Sequence, residues 1–133
     1  MKFKNIWKNV EEPLEYHEDK RGTIVDIFYK NNIEHVSYVT TKKGSIRGNH
    51  YHPNTTQYIL FLNGSAKYWY KPKDGTNKAK FVKCSKGDIV MSPPNEIHAV
   101  EFLDDTDFIE FLKGKRGGKD YESDTIRVNS IVE

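Results

Sequence analysis

From Thr23 to Leu112 the chain is a succession of short apolar or alternating runs broken by turn residues, and no run keeps helical spacing for longer than a turn or two. Thr23 to Tyr29, His35 to Thr40, Tyr58 to Leu62, Ala66 to Tyr70, Ala79 to Val82, Asp88 to Met91, Ala99 to Phe102 and Asp107 to Leu112 read as strands. Lys43-Gly44, Asn63-Gly64, Lys73-Asp74-Gly75, Lys86-Gly87 and Asp104-Asp105 separate them. Asn63-Gly64 between two apolar runs is a hairpin signal, because both residues accept positive φ. About eight strands at this spacing predict an all-β jelly roll or small barrel. The tail from Gly114 begins as a Gly/Lys-rich loop and then offers an edge strand at Thr125 to Val132. No repeat, low-complexity tract or linker interrupts the pattern, so residues 1–133 read as a single domain.

Composition narrows the function classes. A chain of 133 residues is long enough for one real core. Its 21 basic and 19 acidic residues leave a formal charge of +2, which gives no nucleic-acid or membrane footprint. The one cysteine, Cys84, excludes an internal disulfide and fits a reducing compartment; it reads as a half-buried strand residue. No apolar run reaches spanning length, and the Lys- and Asn-rich N-terminus lacks the apolar core of a signal peptide, so the expected location is the cytoplasm.

The chemistry is concentrated in Gly44-Ser45-Ile46-Arg47-Gly48-Asn49-His50-Tyr51-His52, closed by Gln57 and Gly64. Residues at i and i+2 of a strand share a face, so His50 and His52 point into one space if this stretch is extended. A second cluster, Gly87-Asp88, Pro93-Pro94 and His98, supplies another imidazole. Imidazoles and an amide converging on one pocket make a site rather than a core.

The spacing of these residues resembles the two cupin motifs. Gly44, His50, His52 and Gly64 fall in register with the first, with Gln57 where an acid usually stands. Gly87, Pro93 and His98 match the second; Asn95 replaces its glycine, and asparagine accepts a left-handed turn. The resemblance implies the cupin double-stranded β-helix, a jelly-roll barrel. Within the cupins, Asp19-Lys20-Arg21-Gly22, Arg47-Gly48-Asn49-His50-Tyr51-His52, Gln57 and Leu62-Asn63-Gly64-Ser65 resemble the RmlC-like branch, the dTDP-4-keto-6-deoxysugar 3,5-epimerases and 3,4-ketoisomerases. Tyr51 stands where that branch has a small residue, and Arg116-Gly117-Gly118-Lys119-Asp120-Tyr121-Glu122 matches neither enzyme. The resemblance implies a nucleotide-diphosphate sugar of dTDP type as ligand, a homodimer, and a role in making surface polysaccharide precursors.

Two chemistries and one non-catalytic role follow. In the first, a 4-keto group acidifies its neighbouring C–H bonds and a neutral imidazole takes the proton. His50 aligns with the base and His52 with its partner; Tyr38 and Tyr51 are candidate proton donors. Arg21 and Arg47 are expected to grip the diphosphate, since a planar guanidinium suits phosphate oxygens, or else to serve as structural ion pairs or turn caps. Gln57, His98 and Trp69 complete the expected substrate contacts, the last as an aromatic platform within Tyr68-Trp69-Tyr70. This reading needs no cofactor. In the second, His50, His52, Gln57 and His98 hold a divalent transition metal such as Zn, Fe, Mn or Ni for Lewis-acid or oxygenase chemistry. The third is a sugar-binding cupin without chemistry. His17 reads as solvated and His35 as a strand end, while one of Glu101, Asp107 and Glu110 is a candidate to orient a catalytic histidine.

Overall fold

The computed structural model describes residues 1–114 and 122–133. Among the described residues there are twelve strands: β1 (Lys2–Asn5), β2 (Tyr16–Asp19), β3 (Gly22–Val25), β4 (His35–Thr41), β5 (Ile46–Tyr51), β6 (Thr56–Asn63), β7 (Ser65–Pro72), β8 (Lys80–Ser85), β9 (Asp88–Ser92), β10 (Glu96–Phe102), β11 (Thr106–Lys113) and β12 (Ile126–Arg127). Two five-stranded sheets, ordered β1-β9-β6-β11-β4 and β12-β5-β10-β7-β8, carry the fold, and β2 and β3 form a separate pair. Among the described residues no helix is long and apolar enough to cross a membrane.

The core lies between the inner faces of the two sheets. Ile59, Phe61, Val90 and Phe108 from one meet Ala66, Tyr68, Cys84, Val100 and Phe102 from the other. Phe61 and Tyr68 are fully buried, each removal of such a ring from water stabilising the fold by roughly 2–3 kcal/mol. Burial pushes the Cys84 thiol up to about 12, which leaves it a neutral packing residue. A second cluster of Ile6, Leu60 and Ile89 sits on the outer face of the first sheet under Val25, Ile27 and Phe28. Phe28 makes edge-on ring contacts with Tyr58 and Phe111 at 4.9 and 4.8 Å.

Several expectations are corrected here. Asn63-Gly64 does not close a hairpin: β6 and β7 belong to different sheets, so the turn is a corner that carries the chain across the sandwich. Gly64 is needed there at φ +89, where a Cβ would run into the Asp105 carbonyl and Thr106. The run from Thr23 leaves its ladder after Val25, because Ile27 and Phe28 cover the second cluster instead. The edge strand expected at Thr125 to Val132 pairs only through Ile126–Arg127, with β5. Beyond it, Val128 N–H donates to the Asn49 carbonyl and Ile131 N–H to Asn49 Oδ1, at 2.9 Å each. The Arg116 to Glu122 segment falls mostly outside the described residues.

Candidate functional site

The site is built by one bulge on β5. In the β5–β10 ladder His50 pairs with His98, Gly48 with Ala99 and Arg47 with Val100, so Asn49 is the extra residue. Asn49 takes φ +57 and Gly48 φ +97. A regular strand would put residues three apart on opposite faces; the bulge places Arg47 opposite inward-facing Val100 and His50 opposite inward-facing His98. A Cβ on Gly48 would lie 2.8 Å from the His98 carbonyl oxygen. The glycine therefore lets the two histidine strands approach closely.

His50, His52 and His98 are all buried, and their candidate ligand nitrogens lie within 4.8 Å of one another. Ring centroids are 4.7 Å apart for His50–His52, 4.8 Å for His50–His98 and 5.4 Å for His52–His98. His98 Nδ1 is 3.1 Å from Ser92 Oγ, and its ring stacks on Tyr68 at 5.9 Å and 12°. Burial pushes the Tyr68 phenol far above its ordinary value, so it stays neutral. His52 Nδ1 donates to the Asp124 carbonyl at 2.8 Å. Gln57 pairs with Ser92 and shares the inner face of β6 with Ile59 and Phe61; its Oε1 is buried with no hydrogen-bond partner among the described residues. Asn95 takes φ +66, the left-handed turn expected of it, and its N–H donates to the His52 carbonyl at 3.0 Å.

The other expected site residues lie elsewhere. Tyr38 is on the outer face of β4, 62 % exposed, with its hydroxyl donating to Asp107 at 3.1 Å. Trp69 faces away from Tyr68 and Tyr70, packs on Phe81 at 4.8 Å and donates its indole N–H to Glu101 at 3.2 Å. Tyr51 alternates out of phase with His50 and His52 and lies under the Lys73 ammonium at 5.6 Å. Arg21 sits at the tip of the exposed β2–β3 hairpin, paired with Asp19 at 2.7 Å, and that bond holds the Asp19 carboxyl below its ordinary value. Arg47 donates from Nε to Thr41 Oγ1 at 2.8 Å and from Nη2 to the Thr40 carbonyl at 3.3 Å. It lines a surface cleft with Lys42, Ser45, Asp105 and Asp107. Of the carboxylates weighed as orienting groups, Glu101 and Asp107 serve Trp69 and Tyr38, while Glu110 is buried on the inner-facing side of β11. His17 lies 3.4 Å from Asp19, and His35 Nε2 lies 3.1 Å from Ser37 Oγ.

Ser92, Tyr68 and Asp124 are the site residues that the sequence did not single out. Tyr68 was legible in part, because period-two alternation puts it out of phase with Trp69. Asp124 was not, since 72 residues separate it from His52.

With this geometry in place, similarity to known proteins assigns the chain. Residues 17–126 match the model of the polysaccharide biosynthesis C-terminal domain. The chain belongs to this family. A curated relative, UDP-2-acetamido-2,6-beta-L-arabino-hexul-4-ose reductase of Pseudomonas aeruginosa, is 28% identical over 99 residues. That match covers 72% of this chain and 26% of the reductase, so this polysaccharide biosynthesis C-terminal domain spans about a quarter of the relative's length. Three solved structures share the fold. The dTDP-4-dehydrorhamnose 3,5-epimerase of Sulfolobus tokodaii superposes with a TM-score of 0.69 at 19% identity, covering 91% of this chain and 85% of that one. The capsular polysaccharide assembling protein CapF of Staphylococcus aureus gives 0.66 at 21%, covering 90% and 33%. QdtA, a sugar 3,4-ketoisomerase of Thermoanaerobacterium thermosaccharolyticum crystallised with TDP, gives 0.68 at 22%, covering 86% and 84%. At these identities the likeness establishes the fold alone, the cupin jelly roll expected from the histidine motifs.

Proposed function

We propose that this domain is an enzyme acting on a nucleotide-linked 4-keto sugar, as epimerase or ketoisomerase, in the making of surface polysaccharide precursors. The observation that carries the reading is the convergence of His50, His52 and His98 on the inner face of the barrel, beside neutral Gln57. The hexul-4-ose in the curated relative's name and the keto-sugar enzymes among the fold relatives point to the same substrate class.

In this reading His50 takes the proton from the carbon next to the ketone. The enolate oxygen that forms needs a donor, and His52 or His98 supplies it when protonated. A proton returned to the opposite face gives the epimer; returned to the former carbonyl carbon after proton movement between the oxygens, it gives the isomeric ketone. Tyr38 is left out of the mechanism because its hydroxyl is engaged on the outer face. Replacing His50 with Ala is expected to lower turnover by about 10²- to 10⁴-fold while nucleotide-sugar binding persists. The assay is deuterium uptake from heavy water into a panel of keto sugars. Turnover unchanged in that variant would sink the mechanism.

A second reading is favoured by the same cluster. Three imidazoles and an amide oxygen suit Zn, Fe or Ni, with Mn a poorer match to nitrogen donors. A metal–nitrogen bond of about 2.1 Å puts tetrahedral donors about 3.4 Å apart, so nitrogens that now lie within 4.8 Å of one another would have to close by up to about 1.4 Å, a change within reach of side-chain rotation. The residues fit such an ion: His50, His52 and His98 would hold it, with Gln57 as a weak fourth donor. A bound ion would supply a Lewis acid to polarise a keto oxygen. Elemental mass spectrometry of the untagged protein separates the two readings. About one transition metal per chain supports the second; a value near zero after incubation with Zn, Fe, Mn and Ni removes it.

A further inference from the structure

Asp124 is a buried acid that neither chemistry above uses, and it is tied into the loop that leaves the histidine motif. Its carboxylate accepts from Asn54 N–H at 3.0 Å, from Asn54 Nδ2 at 3.0 Å and from Thr55 Oγ1 at 2.6 Å. Burial raises the carboxyl's pKa, but the Thr55 and Asn54 donors outweigh it and hold the group below its ordinary value. A carboxylate with this many donors is a satisfied anchor, because the cost of burying it is offset.

The backbone carbonyl of this same residue meets His52 Nδ1 at 2.8 Å. A carbonyl only accepts, so the proton on His52 resides on Nδ1 and the lone pair on Nε2. Thr125 Oγ1 also lies near this nitrogen, at a longer 3.4 Å. The Asn54–Thr55 loop has a second neighbour in Gly114. A Cβ on Gly114 would stand 2.6 Å from the Asn54 carbonyl oxygen and 2.9 Å from Thr55 Cα, so the chain leaving β11 packs against the same two residues.

We propose that Asp124 is the positioning residue of the histidine cluster: its carboxylate clamps Asn54 and Thr55, and this holds its own carbonyl against His52 so that the ring keeps the Nδ1–H tautomer and offers Nε2 to His50 and His98. The inference deepens the proposed function: with Nδ1–H held on a carbonyl, Nε2 is the His52 nitrogen left to take up a proton and donate it to the enolate oxygen, or to ligate a metal. Its test involves no substrate and no metal, so it stands or falls separately from either chemistry.

The experiment is long-range proton–nitrogen correlation NMR on the full chain with ¹⁵N-labelled histidine, with His52 assigned by its loss in His52→Asn. The wild-type chain is expected to show His52 in the Nδ1–H form alone near neutral pH. Asp124→Ala should lose that single form, with Nε2–H signals appearing. Asp124→Asn should retain it, because the amide oxygen still accepts from Thr55 and Asn54. If Asp124→Ala does not fold, Thr55→Val decides in its place, since it removes one clamp donor at nearly constant volume and should also yield mixed tautomers. An Nε2–H form in the wild type, or an unchanged single Nδ1–H form in the deciding variant, overturns the proposal.

Discussion

Two Arg-Gly pairs in this chain have the same letters and opposite circumstances. Arg21-Gly22 closes the β2–β3 hairpin: both residues are exposed, and a Cβ on Gly22 would meet nothing within 4 Å. Arg47-Gly48 opens the bulge on β5, where a Cβ would press on the backbone of His98 and Ala99 at 2.8 and 3.0 Å. Both glycines have positive φ, at +138 and +97. The dipeptide gives each position its backbone freedom; the neighbouring strand decides whether that freedom has a chemical use. At Gly22 it turns a hairpin in solvent, and at Gly48 it sets the separation of two histidine-bearing strands.

The largest expected effect breaks this comparison directly. Gly48→Ala combines a strained φ with a backbone collision and should cost about 3 kcal/mol or more, read as a fall in the urea midpoint at constant m. The same change at Gly22 should cost about 1 kcal/mol, because only the φ preference opposes it. Equal losses at the two sites would mean that the close approach of β5 to β10 is unimportant. Arg47→Ala sharpens the contrast. If Arg47 grips a diphosphate, the dissociation constant for the nucleotide sugar should rise about tenfold or more; an unchanged constant with a lowered urea midpoint would assign it to bracing Thr40 and Thr41 alone. The smallest effect belongs to Arg21→Ala. Its partner Asp19 shares the exposed hairpin tip, so neither the urea midpoint nor nucleotide-sugar affinity should move measurably.

The same contrast explains what could be read from the sequence. The jelly roll and the histidine cluster were legible because each rests on offsets along the chain: alternation, turn residues, and His50, His52 and His98 at cupin spacing. The left-handed turn at Asn95 was legible for the same reason. β1 was not, since its four residues are Lys-Phe-Lys-Asn and its apolar content is a single side chain. Gly48 and Asn49 concealed the continuity of β5, because a bulge and a turn use the same residue types. The facing of Tyr38 and Trp69 required knowing which side of each strand meets the other sheet, and alternation gives the two faces without naming the inner one. Asp124 depended on a contact between distant parts of the chain, for which no local pattern exists.

The attachment of His52 to Asp124 also bears on how this site comes into being. All three imidazoles lie between His50 and His98, but the carbonyl that fixes His52 belongs to Asp124, and the amides that bind Asn49 belong to Val128 and Ile131, outside that stretch. Closing a contact across 72 residues costs more chain entropy than closing a hairpin, and its return comes late. The histidines are therefore brought together by one stretch of chain and steadied by another, and the order of the cluster depends on a long-range closure rather than on the strands that carry it.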